Sequence, residues 1–184
     1  LSNGQCWGNY SLVSNTERTT LAAEPLEMLI EQVQDTDVSW NGQATKEHNI
    51  RFSHAIKTLY FGVKNITHSA EHSHWVTHSP HTLGSGEVDH FPSAARDPIA
   101  NATLLYENTK RLDNLPADYF SLVNPFHHCP RIPEVTGLHA YSYSLTTDET
   151  DPAGSTNYSK LTNVAIQVSP SEAAKAAGIG TGVL

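Results

Sequence analysis

From Gly137 to Val168 the alternation of large and small side chains reads as strand, structured corner, strand. In the first part Leu138, Ala140, Ser142 and Ser144 alternate with His139, Tyr141, Tyr143 and Leu145, which places the large residues Tyr141, Tyr143 and Leu145 on one face of an extended chain. That face is expected to be buried. In the last part Leu161, Val164, Ile166 and Val168 form a second apolar row, with Asn163, Ala165 and Gln167 opposite in the pleat. Between the two, Asp151-Pro152-Ala153-Gly154 has the residue preferences of a type I turn. Ser155, Thr156, Asn157 and Ser159 add short side chains that bond nearby backbone and hold a corner in one shape.

The same pattern continues, less regularly, along the rest of the chain. Tyr10, Leu12 and Val13 suggest a strand, and Thr16 to Ala23 a short helix that Pro25 ends, because the residue before a proline avoids the helical region. Leu26 to Gln34 alternates Met28, Ile30 and Gln32 with Leu29, Glu31 and Val33 and reads as a strand. Asp35 to Asn49 is polar around Asn41-Gly42 and reads as a loop or hairpin connection. Ala55 to Lys64 is the strongest apolar run; it is expected at the centre of a sheet, with Gly62 as a bend or bulge. Thr67 to Ile99 is rich in His, Ser, Pro and Gly and predicts a long exposed connection. Ala102 to Glu107 returns to strand character. Pro116 to Val123 suggests a short helix that Asn124-Pro125 closes, and His127 to Thr136 a proline-punctuated connection. Short strands, frequent turns and little helical periodicity together predict an all-β sandwich.

Composition narrows the function classes. The chain has 184 residues, of which 38% are hydrophobic and 16% charged, enough for one domain around one core. A formal net charge of −8 with 11 Lys and Arg argues against a surface built to neutralise phosphates. No apolar run reaches the roughly 20 residues that span a bilayer, and no signal peptide is read. Cys6 and Cys129 are too few for a disulfide scaffold and fit a reducing compartment. The chain starts at Leu1 without Met and stops at Val183-Leu184, which reads as a fragment of a longer protein.

Several residue groups invite chemistry. His68, His72, His74, His78 and His81 could share a metal ion. In the cupin metal motif, however, a His-x-His pair is followed by a Glu; here His78 and Ser79 stand at that distance from His72-Ser73-His74, and Glu87 lies too far on. A solvated His-rich loop is the better reading. His127-His128-Cys129 resembles an activated thiolate, but neighbours on an extended chain point to opposite faces. Gly84-Ser85-Gly86 lacks the spacing of a nucleophile elbow, and Gly178-Ile179-Gly180-Thr181-Gly182 that of a dinucleotide loop. Asn9, Asn65, Asn101 and Asn157 each open an N-glycosylation pattern, with no glycan expected. No catalytic, cofactor-binding or metal-binding residue is therefore assigned, and no cofactor.

Three blocks carry a family resemblance. They are Arg51-Phe52-Ser53-His54-Ala55-Ile56-Lys57 with Val63-Lys64-Asn65-Ile66-Thr67-His68, then Leu105-Tyr106-Glu107-Asn108-Thr109-Lys110-Arg111-Leu112 with Tyr119-Phe120-Ser121-Leu122-Val123, then Pro152 to Asn163. In order and content they resemble the major capsid proteins of the large nucleocytoplasmic DNA viruses, most closely the iridovirus type. The His-rich piece at 68 to 90 does not match well. The resemblance implies a non-enzymatic structural protein of the virion, made and assembled in the host cytoplasm. It implies an eight-stranded jelly roll, the second of two in tandem, in a polypeptide that forms homotrimeric, pseudo-hexagonal capsomers contacting neighbouring capsomers and minor capsid proteins, with no direct nucleic acid.

On this reading residues 1–168 are a single incomplete jelly-roll domain with a loop at about 67–99 on the outer side of the capsid, and 169–184 are a flexible Ala/Gly-rich tail. A closing strand beyond the tail is expected, so that the piece by itself should aggregate or form oligomers. The contrasting class is a carbohydrate-binding, lectin-like sandwich using Trp75 and Tyr158. A cupin-like metalloenzyme is a third.

Overall fold

The computed structural model describes residues 4–66, 78–80, 96–177 and 182–183. The chain divides into two compact units, Leu1–Glu31 and Gln32–Leu184, where the sequence predicts one domain over residues 1–168.

In the first unit the predicted helix forms as α1, Asn15–Ala23. Ser14 caps it by accepting the Glu17 N–H at 3.3 Å, and the backbone turns extended at Glu24, ahead of Pro25. No residue of the helix is buried. The strands predicted at Tyr10 to Val13 and from Leu26 do not form, and Trp7, Tyr10, Leu12, Leu26, Met28, Leu29 and Ile30 are all exposed. Alternation marks an amphipathic stretch, but a strand also needs a neighbour to take its N–H and C=O groups. Val33 and Gln34, at the end of that predicted strand, belong to the second unit, where the Gln34 side chain pairs with the Ser53 backbone instead, donating at 2.9 Å and accepting at 2.8 Å.

The second unit is built around the predicted row of Val164, Ile166 and Val168. These lie on β9, Val164–Pro170, and all three are buried. β9 runs antiparallel between β2, Lys46–Ile50, and β5, Ile99–Tyr106; β5 pairs in turn with β6, Thr109–Pro116, so the sheet order is β2-β9-β5-β6. A second layer holds β4, Thr58–Gly62, paired with β7, Leu138–Ser142. Two short pairs are also present among the described residues, β3 (Ala55–Ile56) with β8 (Thr156–Asn157), and β1 (Ser39–Trp40) with β10 (Gly182–Val183). One apolar cluster joins Leu59 of β4 to Ile50, Ile99, Leu104, Val164, Ile166 and Val168 of the larger sheet, with Phe61 and Tyr141 packed on it. The result is an all-β sandwich.

The strand predicted at 55–64 is divided in two and is not central. Among the described residues β4 pairs with β7 alone. Gly62 is required by close approach of backbone: a Cβ there would lie 2.7 Å from the Gly137 carbonyl. Asp35 to Asn49, predicted as a connection, contains β1 and all but the last residue of β2; Gly42 supplies the positive φ (67°) between them. β6 is absent from the sequence reading. The signal was Glu107-Asn108, whose φ values of 50° and 63° make a two-residue hairpin turn.

Asn124-Pro125 does not close the predicted helix. A π-helical turn, Tyr119–Val123, passes directly into α2, Asn124–His128, because the Asn124 N–H reaches back five residues to the Tyr119 carbonyl and proline is tolerated in a first turn. Of the predicted inward face, Tyr141 on β7 and Tyr143 just after it pack against the core, whereas Leu145 is exposed. His139 is more buried than either tyrosine.

Where it is described, the predicted tail has regular structure. β9 continues to Pro170, α3 spans Glu172–Ala177 with Ala174 buried, and Gly182–Val183 forms β10. Ser171 accounts for this by accepting the Ala174 N–H at 3.2 Å as a helix cap. Most of the predicted 67–99 loop lies outside the described residues. Its described parts are not exposed throughout, since Ser79, Pro80 and Pro98 are buried and Ile99 already begins β5.

Candidate assembly surface and buried polar centre

Three tyrosines from distant parts of the chain meet inside the sandwich. Tyr106 ends β5, Tyr143 follows β7, and Tyr158 opens a 3-10 turn after β8. The Tyr106 hydroxyl donates to that of Tyr143 at 2.7 Å, and the Tyr143 and Tyr158 hydroxyls are 2.7 Å apart. Their rings pack edge to face at 6.1 and 6.2 Å around Tyr158, and Phe52 stacks on Tyr158 at 6.5 Å. Burial pushes the Tyr143 and Tyr158 phenols well above their ordinary range, so both remain neutral hydrogen-bonding groups. This arrangement fastens the corner to β5 and offers no base or nucleophile. Replacing Tyr143 by Phe would leave two buried hydroxyls short of a partner and should cost about 1–3 kcal/mol, measurable as a lowered denaturation midpoint of the full-length protein.

A second polar centre lies near the open end of β4 and β7. His139 is fully buried, stacks on Phe61 at 5.0 Å, and through Nε2 meets Asp97 Oδ2 at 2.8 Å; among the described residues its Nδ1 has no partner. Neither Asp97 nor His139 stands out in the sequence. A lone Asp and a lone His, 42 positions apart, are joined by folding alone.

Among the described residues, those singled out from sequence are not brought together as chemistry. His68, His72, His74, His81 and Trp75 lie outside the described residues, as does Gly84-Ser85-Gly86. His78 is described, with Nδ1 at 3.2 Å from the Val63 carbonyl, and no set of metal-ligating groups forms among the described residues. His128 Nδ1 contacts the Leu145 carbonyl at 3.2 Å, His127 packs beside Phe126, and Cys129 is a free, half-buried thiol. Of Gly178 to Gly182 the last is described, in the ladder with Trp40. Tyr158 is buried, so it presents no platform to a sugar. Asn65 is buried and donates to the Ser79 carbonyl at 3.2 Å, Asn101 lies within β5, Asn157 accepts from the Ser159 N–H at 3.0 Å, and Asn9 is exposed.

What remains at the surface is apolar area. Leu122 and Val123 on the π turn and Phe126 on α2 are about half exposed or more, and Leu145 is exposed as well. Edge strand β6 is guarded by Lys110, Arg111 and Asp113, with Lys110 and Asp113 paired at 2.8 Å. No helix among the described residues is long and apolar enough to cross a membrane.

Residues 17–182 match the family described as large eukaryotic DNA virus major capsid protein. The chain belongs to that family. Among major capsid proteins it is 48% identical to that of Invertebrate iridescent virus 6 over 99% of this chain and 40% of the relative. It is 50% identical to that of Tipula iridescent virus over 97% of this chain and 39% of the relative. Lymphocystis disease virus 1 gives 42% over 95% of the chain and 39% of the relative. The chain thus spans about two-fifths of the length of the curated relatives it matches. A quasi-atomic PBCV-1 virus capsid superposes with a TM-score of 0.71 at 20% identity, covering 93% of this chain and 49% of the other. The Faustovirus major capsid protein gives 0.63 at 10%, covering 80% of this chain and 30% of the other. The sandwich is accordingly the jelly roll of these capsid proteins.

Proposed function

We propose that this chain is one jelly roll of a two-jelly-roll capsid polypeptide, the second in order, and that three such polypeptides associate as a pseudo-hexagonal capsomer of an icosahedral shell. The observation that carries the reading is one of proportion: 93% of this chain corresponds to half of the PBCV-1 capsid chain, and the described strands make one sandwich. The role is structural. The buried tyrosine chain and the Asp97–His139 pair stiffen the sandwich, while the exposed apolar side chains of the Leu1–Glu31 unit and of Leu122, Val123 and Phe126 are contact area for the rest of the polypeptide and for neighbouring subunits. Its place is the capsid, with assembly in the host cytoplasm, and with neighbouring capsomers and minor capsid proteins as partners.

Sedimentation equilibrium of the full-length protein tests this reading. A mass three times that of the polypeptide is expected, and a monomer at micromolar concentration would remove the capsomer assignment.

A further inference from the structure

The chain between β4 and β5 is tied to the sandwich where it leaves and where it returns. On the outgoing side half-buried His78 places Nδ1 at 3.2 Å from the Val63 carbonyl, and Asn65 donates to the Ser79 carbonyl at 3.2 Å. On the returning side the Arg96 N–H donates to Ser79 Oγ at 2.9 Å, and Asp97 takes the Ile99 N–H on one oxygen and His139 Nε2 on the other, each at 2.8 Å. Ser171 reaches the Asp97 carbonyl at 2.6 Å from the far end of β9. Gly137 makes room for this arrangement: its φ is 90°, and a Cβ there would lie 2.5 Å from the His78 carbonyl. Ser79 therefore joins the two arms, and His78 fastens the joint to the end of β4.

We propose that His78 is an acid-sensitive fastening, and that a proton on its imidazole detaches residues 78–80 from β4 and from the returning arm at Arg96. The charged and titratable groups that face it, among the described residues, offer the proton little support. Lys64 on the segment after β4 and His139 on β7 both oppose a positive imidazole. Asp97, the anion of the cluster, is already engaged by His139 and the Ile99 N–H. The Val63 carbonyl alone favours the charge. Burial, first, then His139 and Lys64 hold His78 below its ordinary value of 6.5 against that carbonyl. With the closed-state value lowered, the detached state takes the proton first. The fastening is complete above about pH 6.5 and is weakened as the pH falls below it, by up to about tenfold in the closed-to-open ratio at pH 5.5 for one group.

Hydrogen exchange of the full-length protein, followed by mass spectrometry at pH 7.5 and 5.5 and corrected for intrinsic rates, reads the opening at residues 58–66 and 96–101. Wild type should exchange there up to about tenfold faster at pH 5.5, and His78→Gln, which keeps a donor for Val63 but cannot titrate, should show no such acceleration. No acceleration in wild type, or the same acceleration in His78→Gln, would overturn the proposal. If His78→Gln is open at both pH values, Lys64→Gln decides. Removing that positive neighbour should raise the closed-state affinity for the proton and reduce the acid response, and an unchanged response overturns the assignment.

Discussion

Phe120→Ala should lower the stability of the full-length protein by about 3–5 kcal/mol, against a net stability of about 5–15 kcal/mol for a domain. Phe120 sits on the π turn between β6 and β7, in a stretch that sequence reads as a short helix, and it is 3% exposed. Its ring meets Phe61 edge to face at 5.3 Å, Tyr119 at 5.2 Å and Tyr141 at 6.3 Å, so it closes the open side of the β4-β7 pair. Truncation removes the apolar area of the ring and leaves a cavity against strands that cannot collapse into it. Two positions on, Leu122 is half exposed, and Leu122→Ala should cost less than about 1 kcal/mol. Guanidinium midpoints of the two variants separate the cases. Equal, small losses would mean that the aromatic cluster is not a closed part of the core.

Gly154→Val should be the most damaging single change in the corner, at about 2–4 kcal/mol. Gly154 has φ 130°, a conformation that costs a side-chain-bearing residue about 1–3 kcal/mol. A Cβ would in addition lie 2.7 Å from the Tyr143 carbonyl, a backbone atom that cannot swing away, since the Tyr143 ring is held by hydroxyls on both sides. Gly4, whose Cβ would meet nothing within 4 Å, should accept Ala without measurable effect. Thermal unfolding of both variants checks the contrast. A Gly154→Val protein melting like wild type would show that the corner is free to rearrange.

The corner shows how far local reasoning reaches. Asp151-Pro152-Ala153-Gly154 announces a change of direction, and the chain does bend at Asp151, with the Ala153 carbonyl taking the Leu145 N–H at 3.2 Å. The preference for Gly at the end of such a turn, however, leaves φ open. The approach of the Tyr143 backbone, remote in sequence from the turn itself, requires glycine there. The candidate chemistry divides in the same way. The spacing of His127, His128 and Cys129 is visible in sequence but leads to no dyad, because His128 is turned to the Leu145 carbonyl. Asp97, His139 and the hydroxyls of Tyr106, Tyr143 and Tyr158 carry no local signature and form the two polar centres.

By itself the sequence determined which stretches are amphipathic and with what period. The buried row of Val164, Ile166 and Val168, the helix between Ser14 and Pro25, the all-β class and the capsid family all follow from residue types read over short windows or in blocks. Tertiary structure decided what each amphipathic stretch lies against. The alternating run from Leu26 forms no ladder and stays exposed, whereas the polar run from Lys46 to Ile50 becomes a strand because β9 offers it an edge. Ala55 to Lys64, the strongest apolar run, is divided between two separate two-stranded pairs and does not lie at the centre of the larger sheet. Period 2 reports a side chain's face and is set within a few residues, while a ladder partner lies far along the chain, as Ser39 and Val183 or Lys46 and Val168 do. Strand identity is thus local and strand pairing is not, which is why the fold class was legible and the topology, the two polar centres and the Phe120 plug were not.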